Sequence, residues 1–219
     1  MSGRLAAWLA FIAVFSAISY YGNFSGLSDS DEEPLYHWSF FVSSMFGFGL
    51  MVGVALLIAI GAPKREIFAL RSPPSWGRTI GIGVAVLVGV FVFSVLVDQF
   101  LNPGEEQGLL PDRWPPPDWV VYGFNASAVV IGAPVAEELM FRGLGYSLLV
   151  RFGPSVAIAG SAFAWALAHG LVQAFPLIFA LGVGLGFLRR VTGSIVPGML
   201  LHATFNGIAL VAAAVEASH

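Results

Sequence analysis

Seven stretches of this chain are apolar over about the length needed to cross a bilayer, and that limits what it can fold into. They run 5–22, 38–62, 79–98, 119–150, 154–170, 174–188 and 194–215. A helix needs roughly 20 apolar residues to span the hydrocarbon, and only a structure that pairs its own backbone groups is stable there. The fifth and sixth stretches are short, which a bundle tolerates. With 57% hydrophobic and 11% charged residues, the chain has too little charge to cover a soluble surface. The expectation is an all-α, polytopic transmembrane helical bundle of about seven spans. The first stretch could be misread as a signal peptide with Arg4 as its charged region. Its apolar run is longer than most, and Ser16-Ala17-Ile18-Ser19 is a poor cleavage site, so it is read as a retained span. The chain has no cysteine, which excludes disulfides, thiolate ligands and thiol nucleophiles, and no basic cluster points to nucleic acid.

The connecting segments sort by charge. With the N-terminus inside, Arg4, Lys64, Arg65, Arg71, Arg78, Arg142, Arg151, Arg189 and Arg190 fall on the cytoplasmic half, leaving Arg113 outside. The opposite loops hold Asp29, Asp31, Glu32, Glu33, Glu105, Glu106, Asp112 and Asp118. The Lys/Arg bias is the diagnostic part. It predicts a multi-pass protein of the cell membrane, with the N-terminus cytoplasmic and the C-terminus external. The loop 102–118, with Pro103, Pro111, Pro115, Pro116 and Pro117, reads as an extended external connection. Asp29–Glu33 reads as a solvated acidic loop that enforces topology, and His37 and His219 are assigned no function. The spacings Gly49-x-x-x-Gly53 and Gly182-x-x-x-Gly186 permit close helix packing.

After residue 118 the chain is nearly all apolar, yet its spans carry Glu137, Glu138, Arg142, His169, His202 and Asn206. A charge at mid-bilayer costs on the order of 2.5–3.5 kcal/mol, and such residues face a cavity and a partner. Glu137 lies 16 residues before Gly153 and His169 lies 16 after it, around a tight turn at Phe152-Gly153-Pro154. On antiparallel helices both sit roughly 20–24 Å from that turn. Counting from Ser194 puts His202 and Asn206 at roughly 12 and 18 Å, so the four can meet. Glu138 and Arg142 share a helix face, as do His202 and Asn206, while Glu137 and Glu138 point about 100° apart. Glu138 is therefore assigned to an ion pair with Arg142, and Glu137 to the cavity. Pro134 removes one helical hydrogen bond, which frees the carbonyl of Val130 and favours a kink.

A desolvated glutamate beside histidine suits general-base activation of water. A second histidine and an asparagine can donate to a developing oxyanion. Glu137, His169 and His202 could instead hold a divalent metal, although the His-Glu-x-x-His signature is absent. There is no Gly-x-Ser-x-Gly motif, and Asp98 is the lone aspartate inside a span, so serine and aspartyl chemistries lack their parts.

Glu137-Glu138-Leu-Met-Phe-Arg142, Trp165-Ala-Leu-Ala-His169 and His202-Ala-Thr-Phe-Asn206 together resemble the three motifs of the CAAX prenyl protease and bacteriocin-processing (CPBP, or Abi) family of intramembrane glutamate proteases. The likeness covers roughly 119–215. Residues 1–118 read as N-terminal transmembrane helices with external acidic and proline-rich loops, and 119–219 as the CPBP-like catalytic bundle, forming one compact unit. The resemblance implies Glu137 as water-activating base, His169 holding that water, and His202 and Asn206 at the oxyanion, with Glu138 and Arg142 in support. Trp165 stands where the family has phenylalanine and is read as pocket wall or core. No cofactor is expected. The implied substrate is a protein or peptide with a membrane-proximal or lipidated C-terminal segment, as in CAAX-type or sorting-tail processing. The alternative is a non-catalytic immunity or scaffold protein, or a proton-coupled transporter, using the same polar cavity.

Overall fold

Each apolar stretch becomes a helix, and the breaks between helices fall at residues that cannot continue one. The computed structural model describes residues 3–25, 33–101, 106 and 114–218. Most of the acidic loop 29–33, the prolines at 103 and 111, Glu105, Asp112, Arg113 and His219 therefore lie outside the described residues. The helices are α1 (Gly3–Phe24), α2 (Trp38–Ile58), the short α3 (Lys64–Ile67), α4 (Trp76–Val97), α5 (Trp119–Phe152), α6 (Pro154–Ala168), α7 (Phe175–Thr192) and α8 (Val196–Glu216). Among the described residues there is no strand.

Six of these helices are long and apolar enough to cross a membrane; α6, at 15 residues, is shorter. The expected seventh span is thus present as a short apolar helix with one face buried and the other, at Val156 and Phe163, exposed. Ala157, Ser161, Ala162, Ala164, Trp165, Ala166 and Ala168 of α6 are all buried, against α1, α5 and α7.

Helix ends follow local chemistry. Asp118 caps α5 by accepting from the N–H groups of Val120 (2.8 Å) and Val121 (3.2 Å). Gly193 ends α7 in the left-handed conformation, where lysine or arginine would be strained. Of the two glycine spacings, only one packs as expected. A Cβ at Gly182 would lie 2.9 Å from Ala162 Cβ and one at Gly186 would lie 3.2 Å from Ile158, so α6 and α7 meet there. Gly49 and Gly53 have nothing within 4 Å and face outward, so they do not serve helix packing inside the chain.

One core joins both halves of the sequence: Leu5, Trp8, Met51 and Phe68 pack with Met140, Phe141, Leu144 and Leu185. One end of the bundle gathers the basic helix termini. Arg4 Nη2 donates to Ile60 O (2.9 Å), Arg71 Nε to Gly193 O (2.9 Å), and Ser147 Oγ to Ile67 O (2.7 Å). At the other end, Asn23 Nδ2 donates to Gly170 O (3.2 Å), and the Glu106 carboxylate accepts from Val172 N (2.7 Å) and Ala174 N (2.8 Å).

The turn after α6 depends on one glycine. Gly170 has φ +70°, and a Cβ there would lie 2.5 Å from the Ser19 carbonyl carbon of α1. Gly170→Ala is expected to destabilise the fold by at least about 1–3 kcal/mol from backbone strain alone. Thermal unfolding of the detergent-solubilised variant checks this, and an unchanged midpoint would refute it.

Candidate active site

Three helices supply the polar residues. From α5 come Glu137, Glu138 and Arg142, from α6 Trp165 and His169, and from α8 His202 and Asn206. The expected division between the two glutamates holds. Arg142 Nη1 donates to Glu138 Oε1 at 2.9 Å, and both side chains are 0% exposed. Glu137 is 13% exposed and lies on a cavity wall. Two glycines outside the expected motifs make room for the ion pair. A Cβ at Gly198 would lie 2.8 Å from Glu138 Oε2, and one at Gly182 would lie 3.0 Å from Arg142 Nη2.

Trp165 is the hub of the site, a larger part than pocket wall or core. Its Nε1–H donates to Glu137 Oε2 at 2.6 Å. Its ring lies 4.2 Å below the Arg142 guanidinium and meets the imidazoles of His169 and His202 edge-on, at centroid distances of 5.0 and 5.1 Å. The sequence signal for this was the combination of an indole in place of phenylalanine and its i, i+4 spacing to His169.

The histidines are held differently. His169 ends α6, and its Nδ1 lies 2.8 Å from Trp165 O. A carbonyl can only accept, so Nδ1 carries the proton and Nε2 of the neutral ring is an acceptor. His202 is 3% exposed and sits between the carboxylates, Nε2 3.8 Å from Glu137 Oε2 and Nδ1 3.7 Å from Glu138 Oε1. Both distances exceed a direct hydrogen bond.

The helix carrying the glutamates is not regular. Glu137 ends a short α segment, Ala133–Glu137, between π-helical segments Ala128–Gly132 and Glu138–Gly145. Such wide turns recur at functional sites. They also bear on the carbonyls just before Pro134. Ala133 N–H donates to Ala128 O in an i→i−5 step, so it does not serve the Val129 carbonyl, and Pro134 has no N–H to offer it. Asn206 Nδ2 donates to Val129 O at 2.9 Å. The amide has a second N–H, and Asn206 lines the cavity.

Glu137, Trp165, His169, His202 and Asn206 line one cavity of about 430 Å³, whose other walls are mainly apolar. A second cavity of about 130 Å³ lies between α1, α2, α5 and α6 and shares Ser44, Phe48, Glu137, Trp165 and His169 with the first. Glu137 thus stands where the two meet. Ser44 and Phe48 of α2 were not foreseen, because nothing in an apolar span marks which residue will face inward. Among the described residues no group of three or more His, Asp or Glu side chains is placed to hold a metal ion, and the set Glu137, His169 and His202 does not form one.

Residues 119–208 match the family model described as Type II CAAX prenyl endopeptidase Rce1-like. No curated protein and no solved structure matches the chain. The matched segment contains Glu137, Glu138, Arg142, Trp165, His169, His202 and Asn206, whereas Ser44 and Phe48 lie outside it.

Proposed function

From the match of residues 119–208 to the family model described as Type II CAAX prenyl endopeptidase Rce1-like, we propose that this multi-pass membrane protein is an intramembrane endopeptidase of the glutamate type. Its substrate is a protein with a membrane-proximal or lipidated segment. The observation that carries the reading is the unequal environment of the paired glutamates. Glu138 is neutralised by Arg142 in a sealed position, while Glu137 faces the cavity beside His202 and shares its wall with His169.

In the proposed reaction Glu137 takes a proton from water as the water oxygen attacks the scissile carbonyl carbon. Trp165 Nε1–H holds Oε2, so Oε1 is the basic atom. His169 Nε2 accepts a hydrogen bond from the second water O–H and so orients the attack. The tetrahedral oxyanion receives hydrogen bonds from His202 and from the remaining Asn206 N–H, which favours the transition state over the ground state. Collapse breaks the C–N bond, and the proton held by Glu137 passes to the leaving amine. The new carboxyl group gives up the remaining water proton to the departing amine, so the products are a carboxylate and an ammonium.

The test is mass spectrometry of membrane-protein termini in cells with the chain, without it, and with Glu137→Gln. New termini that need Glu137 are expected; identical termini in all three would refute the proposal. Trp165→Phe is expected to keep the fold but lower kcat by about 10- to 100-fold with little change in KM. This is the range for losing a hydrogen bond to a charged group, roughly 1.5–3 kcal/mol. An unchanged kcat in a single-turnover assay would remove Trp165 from its orienting role.

A further inference from the structure

We infer that the cavity is entered from the non-cytoplasmic face, so that the segment cleaved has already crossed the membrane. The route follows from what lies on either side of Glu137. Toward the basic end the site is closed by packed side chains. Met140, Phe141 and Leu144 of α5, Leu185 and Leu188 of α7, and Ile195 are all at most 1% exposed, with the Glu138–Arg142 pair at 0% above them. Toward the other end the 430 Å³ cavity continues past Asn206, along Leu210 and Ala213 of α8 to Glu216, and beside Ser94 to Asp98 at the end of α4. Asp98 and Glu216 are exposed, and Glu216 lies 14 residues beyond His202, roughly 21 Å along the helix.

The two ends differ in charge. Arg4, Lys64, Arg65, Arg71, Arg78, Arg151, Arg189 and Arg190 all sit at the closed end, on α3 or on the terminal turns and linkers of the other helices. At the open end the described residues carry Glu33, Asp98, Glu106, Asp118 and Glu216 and no lysine or arginine. Lys/Arg-rich connections stay in the cytoplasm, so the closed end is cytoplasmic and the cavity opens outward. The access route stands on packing and charge alone; the substrate class rests in addition on the proposed protease activity.

The chain has no cysteine, so single thiols report accessibility without background. Ser44→Cys and Ser94→Cys change one atom each on the cavity wall, and neither residue belongs to the reacting cluster. Glu216→Cys and Arg190→Cys mark the two faces. A small, charged, membrane-impermeant methanethiosulfonate is added to right-side-out or to inverted membrane vesicles. The thiols at 44, 94 and 216 are expected to react in right-side-out vesicles and be protected in inverted ones, with the thiol at 190 showing the reverse. Reaction at 44 and 94 from the same side as 190 would overturn the inference. Protection at 44 and 94 from both sides, with reaction after detergent, would overturn it too, since access would then be from the bilayer. Because labelling needs no turnover, it is separate from the protease reading. Outward labelling with no Glu137-dependent termini would leave the cavity route standing and refute the enzyme. Glu137-dependent termini confined to cytoplasmic segments would refute the substrate class.

Discussion

Glu137→Gln is expected to abolish cleavage while leaving the bundle folded. The substitution is isosteric, and its amide oxygen can still accept the Trp165 Nε1–H bond. Glu137 is on the cavity wall and not in the apolar core, and the buried Glu138–Arg142 pair is untouched. What goes is the group that takes the proton from water. General-base assistance contributes about 10²- to 10⁴-fold to a rate, so kcat should fall by at least that factor. Turnover measured in proteoliposomes, beside a thermal unfolding curve, separates the two properties. Wild-type turnover by a folded Glu137→Gln protein would end the glutamate-protease interpretation. A variant that fails to fold would show that Glu137 is structural, contrary to its position.

Arg142→Met is expected to be the most destabilising single change in the site. It leaves Glu138, 0% exposed, without its cationic partner, and deletes the guanidinium over the Trp165 ring. Removing one member of a buried pair costs about 3–5 kcal/mol, because the remaining charge has neither water nor counter-ion. The double variant Glu138→Gln/Arg142→Met is expected to recover much of that loss, since replacing both charges removes the uncompensated one. Unfolding of the single and double variants in detergent gives the coupling directly. If Arg142→Met unfolds at the wild-type temperature, the pair is not what fixes α5 against α6 and α7. Cleavage by the double variant then asks whether Glu138 does more than hold the site together.

These outcomes rest on distinctions that were only partly legible beforehand. The separation of Glu137 from Glu138 needed nothing beyond helix geometry: adjacent residues point about 100° apart, and Arg142 four residues on claims one of them. The equal depth of Glu137 and His169 came from counting to a shared turn, and both side chains do contact Trp165 and line one cavity. The register of the long helix was not legible. Pro134 announced an irregularity, but not that a wide turn would leave the Val129 carbonyl to be met by Asn206 from another helix. The two glycine spacings were likewise equivalent as text, and only the placement of neighbouring helices separated Gly182 and Gly186 from Gly49 and Gly53.

The sequence by itself determined that the chain is a helical membrane bundle, which of its ends carries positive charge, and which polar residues must be hidden from lipid. Those are consequences of solvation, and solvation is a property of each residue type and of the helix period. The tertiary structure alone decided that Trp165 bonds Glu137, that His202 lies between two carboxylates, and that a cavity opens toward Asp98 and Glu216 while a dry layer closes the opposite side. Hydrophobicity is nearly uniform along such spans, so it does not say which face of a helix turns inward or where close packing leaves a gap. Those depend on contacts between residues far apart in the chain.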